Sequence, residues 1–112
     1  YNTPIGSPIL FFFHIGTATL TDSSQLANID EIARICKKYD LLLKVTGYAD
    51  SATGNSADNS VLSNQRANYI VSELKKRKIS ERAIKLYSEG GVDTYTPNKV
   101  NRCAIIEIHL KH

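Results

Sequence analysis

Long apolar runs and paired cysteine motifs are both missing from this chain of 112 residues. The longest uncharged apolar stretch, Ile9 to Phe13, is far too short to cross a bilayer, so direct membrane insertion is not expected. The two cysteines, Cys36 and Cys103, lack Cys-x-x-Cys spacing and have no histidine cluster beside them, which argues against a zinc site. Whether they are bridged stays open, because a helix core and a strand start need not lie within disulfide range.

Histidine is also scarce, and this scarcity argues against catalysis. His14 is the only histidine away from the C-terminus, and no serine or cysteine stands in a recognisable nucleophile turn with which it would pair. His109 and His112 have an i, i+3 spacing that suits a metal on a helix, whereas this end of the chain has a strand pattern. We therefore predict no enzymatic activity and neither a cofactor nor a metal.

A strong charge of one sign is absent as well. The formal net charge is +3, and the basic residues are dispersed apart from the run Lys75 to Lys78. Such a run is more typical of the last turn of a helix, where solvated cations favour the dipole, than of a nucleic-acid site. An RNA-binding sheet needs exposed aromatics on its middle strands, whereas Phe11 to Phe13 crowd into the first strand. We predict no nucleic-acid partner. Nucleic-acid binding through the run Lys75 to Lys78 stays an alternative.

Composition and length indicate a single domain. With 42% hydrophobic and 22% charged residues, the chain is long enough for a core of its own. It starts at Tyr1 without a methionine, and residues 2–8 are rich in glycine, proline and serine. We interpret residues 1–8 as a linker remnant and residues 9–112 as the domain, and we expect a longer parent protein.

Hydrophobic periodicity predicts strands that alternate with helices. The predicted strands are 9–15, 41–48, 84–88 and 102–110; the predicted helices run from a cap at 21–23 to about Tyr39 and from a cap at Asp58 or Asn59 to about Lys78. Residues 89–91 are expected to break the third strand, and residues 79–82 to form a short turn with a new cap. The order β-α-β-α-β-β predicts an α/β two-layer sandwich with the helices packed on one mixed sheet.

One charged residue lies inside an apolar helix face. Arg66 falls between Leu62 and Ile70 at i, i+4, i+8. A guanidinium keeps its proton at ordinary pH and a partly desolvated charge needs a partner, so an acceptor is expected close to Arg66. Asp50, just after the second predicted strand, is the acidic residue best placed to share that neighbourhood. From the spacing alone, a structural ion pair and a ligand site are equally good interpretations.

Three segments around this pair resemble a known family. They are Gly47-Tyr48-Ala49-Asp50, Asn59-Ser60-Val61-Leu62-Ser63-Asn64-Gln65-Arg66-Ala67 and Asn101-Arg102. Their order resembles the OmpA-like C-terminal domain, in which a strand ends in Gly-x-x-Asp, a helix starts with Asn-x-x-Leu-Ser-x-x-Arg-Ala, and an Asn-Arg pair precedes the last strand. The resemblance covers roughly Pro8 to Leu110.

The resemblance implies recognition of the cell wall. Domains of that family bind peptidoglycan by the diaminopimelate of the stem peptide, whose uncrosslinked end carries an ammonium and a carboxylate. Asp50 would accept from the ammonium and Arg66 would meet the carboxylate. The other residues that the resemblance places at the pocket are Asn59, Leu62, Arg102 and Ala49. It further implies a location at the periplasmic face of the outer membrane and a membrane-anchored portion upstream.

Two departures from the family pattern concern the pocket. His14 stands where the family usually has an acidic residue that lines the pocket, so the side-chain bond of that acid is lost and a main-chain contact can survive. The late Asn-Arg-Arg pattern becomes Asn101-Arg102-Cys103. The alternative function is a scaffold domain of the same fold that docks a protein partner and does not bind the wall, with Asp50 and Arg66 as a structural ion pair.

Overall fold

The computed structural model describes residues 6, 8–14, 17–39, 41–50, 56–92 and 103–110, and at 50, 56–59 and 88–92 it describes the main chain. Within these residues the chain forms two helices and four strands: β1 Ile9–Phe12, α1 Leu26–Tyr39, β2 Leu42–Asp50, α2 Ser56–Lys76, β3 Ile84–Val92 and β4 Cys103–His109. Short 3₁₀ turns at Ser23–Gln25 and Glu81–Ala83 precede α1 and β3.

The strands form one mixed sheet in the order β1-β4-β2-β3. β4 is antiparallel to both β1 and β2, whereas β2 and β3 are parallel, because α2 carries the chain back before β3 begins. The helices pack on this sheet. The predicted α/β two-layer sandwich and its β-α-β-α-β-β order are therefore confirmed.

The core lies between the sheet and the helices. Alternate residues of β2 and β4 are fully buried in it, namely Leu43, Val45, Ala104 and Ile106. The helices contribute side chains that recur at helical spacing, namely Ile29, Ile32, Ala33 and Cys36 from α1 and Ile70, Val71 and Leu74 from α2. The hydrophobic periodicity of the sequence therefore identifies the buried faces correctly.

Both predicted turn caps are present. The Ser24 N–H donates to the Asp22 carboxylate at 2.9 Å before α1, and the Arg82 N–H donates to the Ser80 hydroxyl at 3.2 Å before β3. The hydrogen bond from Ser24 holds the pKa of the Asp22 carboxyl below its usual value. Short polar side chains thus mark these starts in the sequence as they do in the structure.

The predicted end of the first strand is wrong. β1 stops at Phe12 instead of continuing to residue 15. The chain turns back on itself there: Phe13 pairs with Leu20 in an isolated bridge, and the His14 N–H donates to the Thr19 carbonyl at 2.9 Å. This local pairing removes the backbone of His14 from the sheet.

Two further boundaries differ from the prediction. α2 begins at Ser56, so Asp58 and Asn59 lie in its first turn instead of capping it. β3 continues through Gly90 and Gly91 to Val92, although the glycines were expected to break it. The main-chain ladder with β2 continues past a register shift, and such a bulge accommodates residues that weaken a regular strand.

The basic run closes α2 as predicted, but Lys75, Lys76 and Arg77 form ion pairs, and Arg77 is the least exposed of the three. Arg77 donates from Nε to Asp30 of α1 and from Nη1 to the Glu73 carboxylate at 2.9 Å. Its side chain keeps only 21% of its exposure. Arg77 therefore fastens the two helices to each other, which the sequence pattern did not indicate.

Both cysteines are buried, and neither forms a disulfide within the described part of the chain. The Cys36 thiol donates to the Leu41 carbonyl at 3.2 Å, and Cys103 opens β4 opposite Phe12. The structure thus answers the question of bridging, because the thiols serve as small buried side chains on different layers.

Candidate ligand-binding site at the start of α2

Arg66 is the largest fully buried side chain of the described residues, with an exposed fraction of 0%. Its Nε donates to the Thr17 carbonyl at 2.9 Å, Nη1 to the Tyr48 carbonyl at 2.8 Å, and Nη2 to the His14 carbonyl at 3.3 Å. The guanidinium also lies over the Phe13 ring, 5.5 Å from its centroid. The predicted need for acceptors is met, and the described acceptors are main-chain oxygens.

These contacts give Arg66 a fixed orientation. The three carbonyls belong to two stretches of chain, the turn after β1 and the end of β2, which approach α2 from different sides. A planar guanidinium with five N–H donors matches such a spread of acceptors, whereas an ammonium does not. Arg66 therefore ties the turn, the strand and the helix together at one point.

Gly47 explains why α2 comes close enough for these bonds. A Cβ at this position would lie 1.9 Å from the Ser63 carbonyl oxygen and 2.9 Å from the Ala67 nitrogen. Ser63 and Ala67 are fully buried and stand one helical turn apart on the face toward β2. The glycine of the Gly-x-x-Asp segment is thus needed so that the backbones of β2 and α2 can touch.

The end of β2 and the start of α2 form the rest of the candidate site. Asp50 closes β2, where its main chain pairs with Val92. The first turn of α2 begins at Ser56 and contains Asn59, so its N–H groups supply a partial positive field suited to an anion. The side chains of Asp50 and Asn59, and all of Arg102, lie outside the described residues, so their places in the site stay predictions.

The other predicted site residues differ in what they offer. Ala49 is fully buried and Leu62 is half-buried. The His14 side chain is exposed. The main-chain oxygen of His14 accepts a hydrogen bond from Arg66, so the main-chain contact that the sequence left open is present. Thr17 was missed, because a carbonyl contact carries no signal in the side-chain sequence.

The charge of Arg66 reaches the neighbouring strand. Burial raises the pKa of the Cys103 thiol to about 12, and the positive charge of Arg66 opposes that rise. Since the thiol stays protonated at neutral pH, Cys103 is a packing residue and not a nucleophile.

The described part of the chain has neither a membrane-spanning helix nor a metal-binding cluster. No helix in it has the length and apolar character needed to cross a membrane. Within the same residues, no group of three or more His, Cys, Asp or Glu side chains is placed to hold a metal ion.

Two features define the class of two-layer α/β domain to which the chain belongs. The helix α2 packs directly on the strand that carries Gly-x-x-Asp, and a buried arginine bonds to the end of that strand and to the turn after β1. The model of the OmpA family matches residues 12–104, and the chain belongs to that family. It is 32% identical over 96 residues to outer membrane protein 40 of Porphyromonas gingivalis. That match covers 85% of this chain and 25% of the relative, so the chain spans a quarter of the relative's length.

Solved structures show the same fold at low identity. The peptidoglycan-associated lipoprotein of Burkholderia pseudomallei matches with a TM-score of 0.78 and 18% identity, covering 89% of each chain. The OmpA-like domain of FopA1 from Francisella tularensis gives 0.80 and 20%, covering 92% of this chain and 71% of that one. The periplasmic domain of Helicobacter pylori MotB gives 0.74 and 15%, covering 100% and 80%. The family resemblance seen in the sequence is confirmed.

Proposed function

We propose that this domain binds cell-wall peptidoglycan non-covalently through the diaminopimelate of the stem peptide, and so anchors a larger envelope protein to the wall. The observation that carries the proposal is the fixed orientation of the Arg66 guanidinium between the end of β2 and the turn after β1. Membership of the OmpA family supports it, as does the fold shared with a lipoprotein named for its association with peptidoglycan. The proposed location is the periplasmic face of the outer membrane, with a membrane-anchored portion of the parent protein upstream.

The chemistry of the ligand matches the charges of the site. The uncrosslinked end of diaminopimelate is a zwitterion, so one guanidinium and one carboxylate suffice to recognise it. Arg66 meets the ligand carboxylate and Asp50 accepts from its ammonium. The free N–H groups of the first turn of α2, well before Arg66 in the helix, add a positive field that favours an anionic ligand. In this proposal Asn59, Leu62 and Ala49 line the pocket, Arg102 flanks it, and His14 contributes its main chain.

The complete burial of Arg66 sets a condition on this mechanism. Because the guanidinium has no exposed surface, a ligand carboxylate reaches it only if the chain around it opens. Its bonds to three carbonyls hold the fork in place during such an opening, so the cost of ordering the side chain is already met in the fold. We expect association to be slower than for an open site.

The same burial favours a second candidate function. A guanidinium that bonds to His14, Thr17 and Tyr48 carbonyls has a sufficient structural role without any ligand. A domain in which Arg66 only holds the fold would act as a scaffold that docks a protein partner. The two candidates differ in what the isolated domain does with purified peptidoglycan.

The decisive experiment is titration calorimetry with matched soluble muropeptides. We expect the diaminopimelate form to bind at least tenfold more tightly than the lysine form, because lysine lacks the carboxylate that Arg66 would recognise in this proposal. Amidating the carboxylate should weaken binding similarly. Equal affinity for the two forms would mean that Arg66 is structural.

Variants test the two charges separately. Asp50→Asn keeps the size of the side chain and should lose binding by roughly 2–5 kcal/mol, because the ligand ammonium loses its acceptor. Lys44→Gln, on the sheet face away from the helices, is the matched control and should sediment with insoluble peptidoglycan like the parent. If Asp50→Asn is folded by circular dichroism and still sediments like the parent, the scaffold function is favoured.

A further inference from the structure

A groove with an excess of positive charge lies between the C-terminal ends of α1 and α2. It has a volume of about 650 Å³. Its cationic lining residues are Arg34, Lys37, Lys38, Lys76, Arg77 and Lys78, and within the described part of the chain Asp30 is the one carboxylate among its lining residues. We call this feature the basic groove.

The cations of the basic groove fall into two sets. Arg34 pairs with Glu31, and Arg77 and Lys76 share Glu73, so these three charges are largely balanced. The remaining three are exposed and take part in no ion pair among the described residues; they are Lys37, Lys38 and Lys78. The excess positive charge of the groove therefore resides on these three lysines.

Lys78 occupies a position where glycine would be less strained. Its φ is 68°, in the left-handed region. The Lys78 N–H donates to the Lys75 carbonyl at 2.9 Å and the Ile79 N–H to the Leu74 carbonyl at 3.2 Å, which is the Schellman pattern at the end of α2. A side chain with a Cβ destabilises this conformation relative to glycine. The chain thus places a cation at a helix end where glycine would favour stability.

An exposed aromatic side chain stands beside the lysines. Tyr39 ends α1 with 60% of its surface exposed, and the Lys38 ammonium lies 5.3 Å from its ring centroid. Tyrosine next to lysine is typical of residues at a membrane–water interface, where the ring enters the head-group region and the charge meets phosphate.

The basic groove is remote from the candidate wall site. α2 runs from Ser56 to Lys76, which corresponds to about 30 Å along its axis. The wall site extends from the first turn to Arg66, at the middle of the helix, and Arg66 is about 15 Å along the axis from the last turn, where the groove lies. Occupation of one end therefore leaves the other end accessible.

We propose that the basic groove binds the phosphate head groups of an anionic membrane surface, with Lys37, Lys38 and Lys78 contacting phosphates and Tyr39 entering the interface. Exposed lysines on flexible stems suit many mobile phosphates better than one enclosed ion. The choice of lipid over nucleic acid rests on the envelope location proposed above. The domain would then bridge a membrane surface and the wall through opposite ends of α2.

Cosedimentation with vesicles tests this proposal. The probes are vesicles of phosphatidylcholine with and without phosphatidylglycerol, at low and at physiological salt. We expect binding that depends on phosphatidylglycerol and weakens with salt. The double variant Lys37→Gln with Lys78→Asn should bind roughly 30-fold more weakly, since each lysine near such a surface contributes about fivefold. Asparagine is chosen because it tolerates the left-handed conformation.

A matched control separates the groove from net charge. Lys44→Gln with Lys85→Gln removes the same charge from the sheet face that points away from the helices. This variant should keep most of the vesicle binding. An equal loss in both double variants would overturn the proposal, as would failure of the parent domain to bind anionic vesicles at low salt. Binding to duplex DNA that depends on Lys37 and Lys78, without vesicle binding, would overturn it in favour of a nucleic acid.

Stability and wall binding provide independent readouts. Lys78→Gly should raise the thermal midpoint and still weaken vesicle binding, so loss of binding is not a folding defect. An unchanged affinity of Lys78→Gly for vesicles would also overturn the proposal. The double variant Lys37→Gln with Lys78→Asn should sediment with peptidoglycan like the parent. If the parent binds vesicles and not peptidoglycan, the proposed wall function fails and the groove proposal stands.

Discussion

The two arginines of the α2 region have opposite kinds of partner. Arg66, in the middle of α2, is fully buried and its described acceptors are neutral main-chain carbonyls. Arg77, just past the end of α2, is partly exposed, and it donates to the carboxylates of Asp30 and Glu73 as well as to the Glu73 main-chain carbonyl. Carbonyl dipoles orient a cation without cancelling its charge, whereas carboxylates cancel it. A side chain of the same type thus joins the middle of α2 to the turn after β1 and to β2 in one case, and joins two helices through carboxylates in the other.

The difference also appears in the pKa values nearby. Burial raises the pKa of Cys103 and the positive charge of Arg66 opposes that rise, so the electrostatic field of Arg66 extends into β4. At the other end, hydrogen bonds from Arg77 and Lys76 hold the pKa of Glu73 below its ordinary value of 4.5. Near Arg77, the charge that remains available among the described residues belongs to Lys37, Lys38 and Lys78, and not to the arginine.

The strongest test of the Arg66 end is Arg66→Met, which keeps the length of the side chain and removes its donors. We expect a loss of about 2–4 kcal/mol in the free energy of unfolding, because the carbonyls of the half-buried residues Thr17 and Tyr48 lose their donor. Urea unfolding followed by circular dichroism measures it. Arg82→Met, at an exposed position, is the control and should change stability by less than about 0.5 kcal/mol. Parent-like stability of Arg66→Met would show that the three bonds contribute little.

The second test at this end is Gly47→Ala. The added methyl group meets the Ser63 carbonyl oxygen, a backbone atom that cannot rotate away, so α2 must move from β2. We expect a loss of about 3 kcal/mol, at the upper end for overpacking by one carbon. Lys44→Ala in the same strand points away from the helices and serves as the control. A stable Gly47→Ala variant with unchanged contacts around Arg66 would contradict the role given to the glycine.

The Arg77 end should respond less. Arg77→Gln removes the pairs with Asp30 and Glu73, and we expect a loss of about 1–2 kcal/mol, between the values typical of exposed and of buried pairs. Arg34→Gln breaks only the exposed pair with Glu31 and should cost less than about 0.5 kcal/mol. Thermal unfolding of both variants side by side measures the contrast. Equal, small effects would mean that Arg77 is as solvated as the sequence suggested.

The smallest effect is a pH dependence at the Arg77 end. Since the folded-state pKa of Glu73 is lowered, its contribution to stability is present above about pH 4.5 and is lost as the pH falls through the folded value. The difference in unfolding free energy between the parent and Glu73→Gln should therefore shrink between pH 6 and pH 3. Glu31→Gln, at an exposed pair, is the control and should show a weaker trend that high salt removes. A difference that stays constant with pH would contradict the assigned role of Glu73.

The sequence predicted the architecture well for a physical reason. Apolar residues recur at the helical period in α1 and α2, and a near-continuous apolar run marks β2 as central, so burial alone fixes the element types and their order. Strand ends were predicted less well. β1 ends early because Phe13 pairs with Leu20. β3 continues through two glycines because its main chain pairs with β2. Both outcomes depend on pairing partners elsewhere in the sequence.

What the sequence by itself determined is that Arg66 is at least partly desolvated and has an acceptor close by, since it lies between Leu62 and Ile70 on an apolar face and a guanidinium keeps its charge. The tertiary structure decided which acceptors these are. Carbonyls of His14, Thr17 and Tyr48 carry no signature in side-chain identity, and they meet Arg66 only because Gly47 lets α2 contact β2. Likewise the run Lys75 to Lys78 showed where positive charge lies along the chain. Only the tertiary structure decided that Arg77 is neutralised while Lys78 stays available, because Asp30 of α1 and Glu73 of α2 both pair with Arg77 and neither pairs with Lys78.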